Sequence, residues 1–281
     1  MSTSNSHSAP PTKRQANVIR IGGGALELAH IAAKNPSANA APLVFLHEGL
    51  GSVAMWRDWP AQLCAATGRA GWVYSRRGYG QSDAVPDVRG PSGSLAGQRS
   101  GRLLPDYLHL EAFEVLPALL QALQIENPVL VGHSDGASIA LLHASRNSLS
   151  ACIVMAPHVL VEDLSIQSIR QARTAYETGD LRSRLSRYHA DVDSAFWQWN
   201  DVWLSEAFRT FDIRADCRRI EAPVLAIQGQ DDVYGTMLQI DEISPLGPIT
   251  RHKLANCGHS AHRDQPALAT QLIADFLTTL G

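Results

Sequence analysis

Apolar and polar positions alternate along this chain with two different periods. Short apolar runs of four or five residues predict buried strands, and the stretches between them space apolar residues three and four apart, as helices do. Val18 to Ile21 and Leu26 to Ala33 read as a hairpin around Gly22-Gly23-Gly24. Leu43 to Leu46 reads as a buried strand, Trp56 to Thr67 as a helix, and Trp72 to Tyr74 as a strand. Residues 84 to 105, rich in Gly, Pro, Ser and Arg, read as a long surface loop. A helix over about Asp106 to Leu123 leads to the strand Pro128 to Val131, followed by the helix-like Ala137 to Ala144 and the strand Ala151 to Met155. Strands resume at Val224 to Ile227 and Ile249 to Leu254, and a helix over about Pro266 to Leu280 closes the pattern.

Residues 157–219 break this alternation. They are helical, charged and rich in aromatic residues: Phe196, Trp197, Trp199, Trp203, Phe208 and Phe211. Phe196, Trp199 and Trp203 share one helical face, which fits packing onto a core or lining a substrate pocket. Repeated β-α-β units imply an α/β fold with a mostly parallel, doubly wound sheet of about eight strands. Residues 18–156 and 220–281 would form the core, 157–219 an inserted helical cap, and 1–17 a flexible N-terminal tail.

Composition narrows the class. The 281 residues carry a net charge of −3 without any Lys/Arg block, which argues against nucleic acid. At 45% hydrophobic and 18% charged residues, the chain can bury a core, so disorder is expected only in the tail. The first 17 residues lack the apolar segment of a signal peptide, and no stretch is apolar enough to span a membrane. Cys64, Cys152, Cys217 and Cys257 are scattered, without CxxC spacing. They read as buried small hydrophobes in a reducing cytoplasm, with neither a metal site nor disulfides.

The chemistry concentrates at Gly132-His133-Ser134-Asp135-Gly136, between a strand and a helix. A serine flanked by glycines at such a turn is held exposed, as a nucleophile would be. A serine hydroxyl needs a base, and that base needs a partner to fix its tautomer. Both are available after later strands, in Gln228-Gly229-Gln230-Asp231-Asp232 and in Asn256-Cys257-Gly258-His259.

With these motifs the chain resembles the α/β-hydrolases, from about residue 18 to the end. The resemblance implies Ser134 as nucleophile, His259 as base and Asp232 as the orienting acid, with Asp231 as the alternative acid. It also implies an oxyanion hole from the N–H groups of Asp135 and Gly49, with Leu50 as the alternative to Gly49. The segment Tyr74 to Ser82 resembles the family's Asp-x-Arg-Gly-x-Gly-x-Ser turn, with Ser75 in place of the leading aspartate. In His47-Glu48-Gly49-Leu50-Gly51-Ser52, Glu48 replaces a usual glycine. Glu48 would either touch substrate or pair with an arginine, and Trp197, Trp199 and Trp203 are further possible substrate contacts. His47 is expected to order its loop through hydrogen bonds, His133 to support the elbow by packing, and His262 to be a supporting or surface residue.

The implied activity is hydrolysis of a carboxylic ester or related acyl compound through an acyl-enzyme, with an apolar or aromatic substrate. Carbon–carbon cleavage of a diketone, or lactone or thioester hydrolysis, are the alternatives, and a non-catalytic binder on the same fold is a remote one. No cofactor is implied. A small molecule is the expected partner, with neither nucleic acid nor membrane. The oligomeric state stays open, with a dimer as one option.

Overall fold

The computed structural model describes residues 17–33 and 40–280. The expected tail lies outside the described residues except Asn17, which opens the first strand. β1 (Asn17–Ile21) and β2 (Gly24–Ile31) form the predicted hairpin. Gly22 and Gly23 both have positive φ, 56° and 77°, as a two-residue turn matched to strand twist requires. β3 (Leu43–Leu46) is wholly buried. α1 (Trp59–Thr67) starts three residues later than its apolar spacing predicts, after a 3-10 turn at Ala54–Trp56. Pro60 explains the offset, because proline is tolerated only in a helix's first turn.

β4 (Gly71–Tyr74) follows. The segment predicted as a plain loop contains a small hairpin, β5 (Gly93–Leu95) and β6 (Gln98–Ser100). Its residues are small or polar apart from the exposed Leu95, so period-two alternation gave no signal. The next predicted helix is interrupted: α2 (Tyr107–Leu110) and α3 (Leu116–Ala122) flank a π-turn at Glu111–Val115. β7 (Val129–His133), α4 (Asp135–Ala144) and β8 (Ala151–Met155) agree with the predicted order.

Residues 157–219 hold α5 (Asp163–Thr178), α6 (Leu181–Leu185), α7 (Val192–Trp203) and α8 (Arg214–Cys217). Asp191 caps α7 by accepting the Ser194 N–H. The two ends of the segment meet in a bridge between Leu160 and Asp212, and the Ile213 N–H donates to Val159 at 2.8 Å. It therefore leaves and rejoins the core at one neck. β9 (Val224–Gly229), α9 (Leu238–Asp241), β10 (Ile249–Leu254), α10 (Ala261–Asp264) and α11 (Pro266–Thr278) complete the chain.

The eight-stranded sheet runs β1-β2-β4-β3-β7-β8-β9-β10, parallel from β4 to β10. β2 is antiparallel to both β1 and β4. Both faces are covered, and alternate residues of each strand enter opposite cores. In β7, Val129 and Val131 join Trp56, Trp59 and Ile273 on one face, while Leu130 joins Leu116, Leu141 and Trp203 on the other. Each fully buried side chain of this size contributes about 1.5–3 kcal/mol. From β3 the strand order runs outward through β4, then returns to β7 and runs the other way. Ligand crevices in such sheets open at the carboxyl ends of strands where the order reverses. Here that point is the end of β3 and β7, where His47 and Ser134 stand.

Candidate active site

Ser134 links β7 to α4 with φ 54° and ψ −119°, a conformation that costs a non-glycine residue of order 1–3 kcal/mol. The surroundings hold it there. Its N–H donates to Met155 O at 2.9 Å. A Cβ at Gly132 would collide with the backbone of Gly136 and Ala137, and one at Gly136 with the carbonyls of Leu46 and His47. Glycine is required at both positions by close approach. The Ser134 hydroxyl makes no hydrogen bond to another described residue.

The next residue, Asp135, is locked in place. Its carboxylate accepts from the Tyr107 hydroxyl at 2.8 Å and the Trp203 indole at 3.3 Å, and lies 3.5 Å from Arg76 Nη2. Burial pushes the Asp135 carboxyl up, against the opposing Arg76 charge and the two donors. Arg76 in turn donates to the carbonyls of His47 and Glu48 at 3.0 and 3.2 Å. The side chain thus ties the elbow to α2, α7 and the loop after β3. Asp135→Ala is expected to cost about 3 kcal/mol, because it leaves the buried Arg76 charge without its partner. Urea denaturation of parent and variant measures this.

The acid and base meet across 27 residues. His259 Nδ1 lies 2.9 Å from both Asp232 oxygens. Asp232 also accepts from Gln228 Nε2 at 3.1 Å and from the Tyr234 N–H at 2.8 Å. Burial alone would raise the Asp232 carboxyl, but the His259 hydrogen bond and the Tyr234 N–H outweigh it and hold it below its ordinary value. Asp231, the other candidate acid, is exposed, and its backbone N–H donates to Cys257 O. Of the adjacent pair, the structure brings Asp232 to the histidine. Its side chain caps the local turn, not a helix.

His259 stands beside the elbow. Its carbonyl lies 2.8 Å from His133 Nε2, and its ring packs 5.0 Å from that of His133 and 4.8 Å from that of Tyr234. His133 therefore does more than pack, since it pins the His259 backbone. His262 is buried against Trp56, Trp59 and His133 rather than lying at the surface.

The loop after β3 is held by His47, whose Nε2 accepts from the Arg76 N–H at 3.0 Å and whose Nδ1 lies 2.7 Å from Glu48 O. The Gly49 and Asp135 N–H groups donate no hydrogen bond to another described residue. Glu48 takes the arginine option: its Oε1 accepts from Arg263 Nη2 at 2.7 Å, and its Oε2 lies 3.5 Å from His133 Nδ1. Against the cost of burial, His133 and Arg263 hold its carboxyl well below the usual range. Its charge is thereby paired with Arg263.

The three tryptophans divide. Trp199 lies directly over Gly49, where any Cβ would strike its indole. Trp203 is buried and bonded to Tyr107 and Asp135, so it fastens α7 to the elbow. Trp197 sits under Arg89, 3.8 Å from the ring centre, and near Arg173 at 5.6 Å.

Several contributors escaped sequence reasoning. Glu27 on β2 is buried, and its Oε2 accepts from Ser75 Oγ at 2.6 Å and from the Gln81 N–H at 2.9 Å. Ser75 Oγ also accepts from the Val53 N–H. The carboxylate that the resemblance places at position 75 is thus supplied from β2. A lone glutamate between Leu26 and Leu28 in an apolar run was the available signal. His158, just past β8, packs 5.9 Å from the His259 ring, and burial takes it down to about 3, so it stays neutral. A histidine after a parallel strand's carboxyl end was its signal. Gln228, the second support of Asp232, carried none.

Sheet topology and this cluster define a hydrolase architecture, with a serine elbow and an acid–histidine pair at the strand carboxyl ends. The chain belongs to the alpha/beta hydrolase family, whose model matches residues 43–270. No curated protein matches it in sequence. Among solved structures it is similar to proline iminopeptidase from Mycobacterium smegmatis, at 19% identity and TM-score 0.68, covering 95% of this chain and 98% of that one. It is also similar to an enol-lactonase from Burkholderia xenovorans, at 18% identity and TM-score 0.68, covering 93% and 100%. A thermophilic esterase from Thermogutta terrifontis matches at 18% identity and TM-score 0.67, covering 94% and 99%. At these identities the likeness is one of fold. Among the described residues, no helix is long and apolar enough to cross a membrane and no group of three or more metal-ligating side chains gathers.

Proposed function

We propose that this protein is a serine hydrolase that cleaves a carboxylic ester or related acyl compound through an acyl-enzyme, with residues 157–219 acting as a cap. The observation that carries this reading is the paired 2.9 Å contact of Asp232 with His259 Nδ1, beside a serine held at φ 54°. An ionised carboxylate only accepts, so Nδ1 carries the proton and Nε2 is left basic. His259 Nε2 takes the Ser134 proton as Oγ bonds to the acyl carbon. The Gly49 and Asp135 N–H groups receive the oxyanion. The proton then passes to the leaving alkoxide. A water, deprotonated by the same Nε2, attacks the acyl carbon, and Ser134 recovers its hydrogen as the acid departs. The serine–histidine hydrogen bond that this transfer needs forms as substrate binds. Trp199 over the oxyanion loop supports an apolar acyl group as substrate.

A fluorophosphonate probe tests the nucleophile. Stoichiometric adduct at Ser134 in the folded protein, absent after heat unfolding, is the expected result. A folded protein that stays unlabelled while hydrolysing esters would overturn it.

A further inference from the structure

A cavity of about 550 Å³ is not lined by Ser134, Asp232 or His259. It lies between the β1–β2 hairpin, the β5–β6 segment and the α2–α3 stretch. Its lining is apolar at Leu103, Leu104 and Leu110, and charged at four arginines and two glutamates. Arg99 and Arg77 face the cavity, and the bonded partners of both guanidiniums are neutral. Arg99 donates to Gln198 Oε1 and Gly101 O, and Arg77 to Gln98 Oε1. Tyr79, 2% exposed, ends in a hydroxyl with no hydrogen-bond partner, and Arg77 Nε is likewise buried without one.

Buried donors without acceptors are rare, because each forfeits its water. Here a hydroxyl, an unpaired guanidinium N–H and a second arginine bonded only to neutral groups leave donors that a bound anion can satisfy. Glu111 and Glu114 also line it, and Glu111 Oε1 accepts from the Tyr74 hydroxyl at 2.9 Å. Burial takes Arg99 down to about 10, so it remains charged at neutral pH.

We propose that this cavity is a second ligand site, separate from the Ser134 site, that binds a small carboxylate with an apolar tail. The head group accepts from Arg99, Arg77 and Tyr79, and the tail lies on the leucines. Charge-assisted bonds of this kind are about twice as strong as neutral ones. Arg76 and Tyr107, the partners of Asp135 in the elbow, line this cavity.

The test is calorimetric titration of the full chain with sodium octanoate, and with octanol and octylammonium for comparison. The parent is expected to bind one octanoate saturably, and the other two at least about tenfold more weakly. Arg99→Leu should weaken octanoate at least about tenfold and Tyr79→Phe about threefold. Arg187→Leu, in a separate arginine-lined surface pocket, should change nothing. Circular dichroism melts confirm folding of each variant. Should Arg99→Leu melt early, Tyr79→Phe, which alters one oxygen, decides the question. Octanoate binding that is absent from the parent, unchanged in both site variants, or equally weakened by Arg187→Leu would overturn the proposal.

Discussion

Ser134→Ala is expected to lower turnover of a p-nitrophenyl ester about 10⁶-fold, leaving the smaller catalysis that the oxyanion donors provide alone. The loss should fall on kcat, because the missing oxygen forms its bond only as the barrier is crossed. Stability should stay near the parent value. The hydroxyl has no hydrogen bond to another described residue, and alanine meets the same backbone strain at φ 54° that serine does. The loss should therefore appear without a shift in the unfolding midpoint. A variant that hydrolyses at the parent rate would end the nucleophile assignment.

The second large effect is expected from Asp232→Asn, about 10⁴-fold in kcat, the size associated with an asparagine that forces the wrong histidine tautomer. The local donors dictate the outcome. The Tyr234 N–H donates to Oδ1 and Gln228 Nε2 to Oδ2; the backbone donor is fixed, so the asparagine oxygen keeps the Oδ1 position and the amide nitrogen takes the other. Its amide N–H₂ then faces His259 Nδ1, which must accept. The ring proton moves to Nε2, where it blocks abstraction of the serine proton. Asp231→Asn should leave kcat within about twofold, since that side chain is exposed. Equal activity in the two variants would undo the assignment of Asp232.

The same contact has a pH signature. The Asp232 carboxyl is held below its ordinary value, so its stabilising contribution is complete above about pH 4 and disappears as pH falls through the lowered value. The stability difference between parent and Asp232→Asn should hold from pH 7 to about 4 and then narrow. Denaturant titrations across that range measure it. A difference that widens in acid would mean the carboxyl is not held ionised.

Locally coded features were readable in the chain. The period of apolar residues placed five of the eight sheet strands within one residue and the other three within two, and gave the parallel α/β order. Gly132 and Gly136 around Ser134 marked the elbow, since only glycine fits there. The π-turn at Glu111–Val115 and the β5–β6 hairpin were not readable, because neither disturbs the apolar spacing that carries the signal.

What the sequence by itself determined was the set of elements, the position of the strained serine and the short roster of titratable residues at strand ends. Backbone sterics and side-chain period act within a few residues, and a linear reading reaches that far. The tertiary structure decided the pairings: Asp232 over Asp231 for His259, Arg263 for Glu48 across 215 positions, Glu27 beneath Ser75, and Trp203 on Asp135. A buried charge or donor takes whichever complementary group the packed sheet and helices bring within about 3 Å. No local rule along the chain specifies that distance.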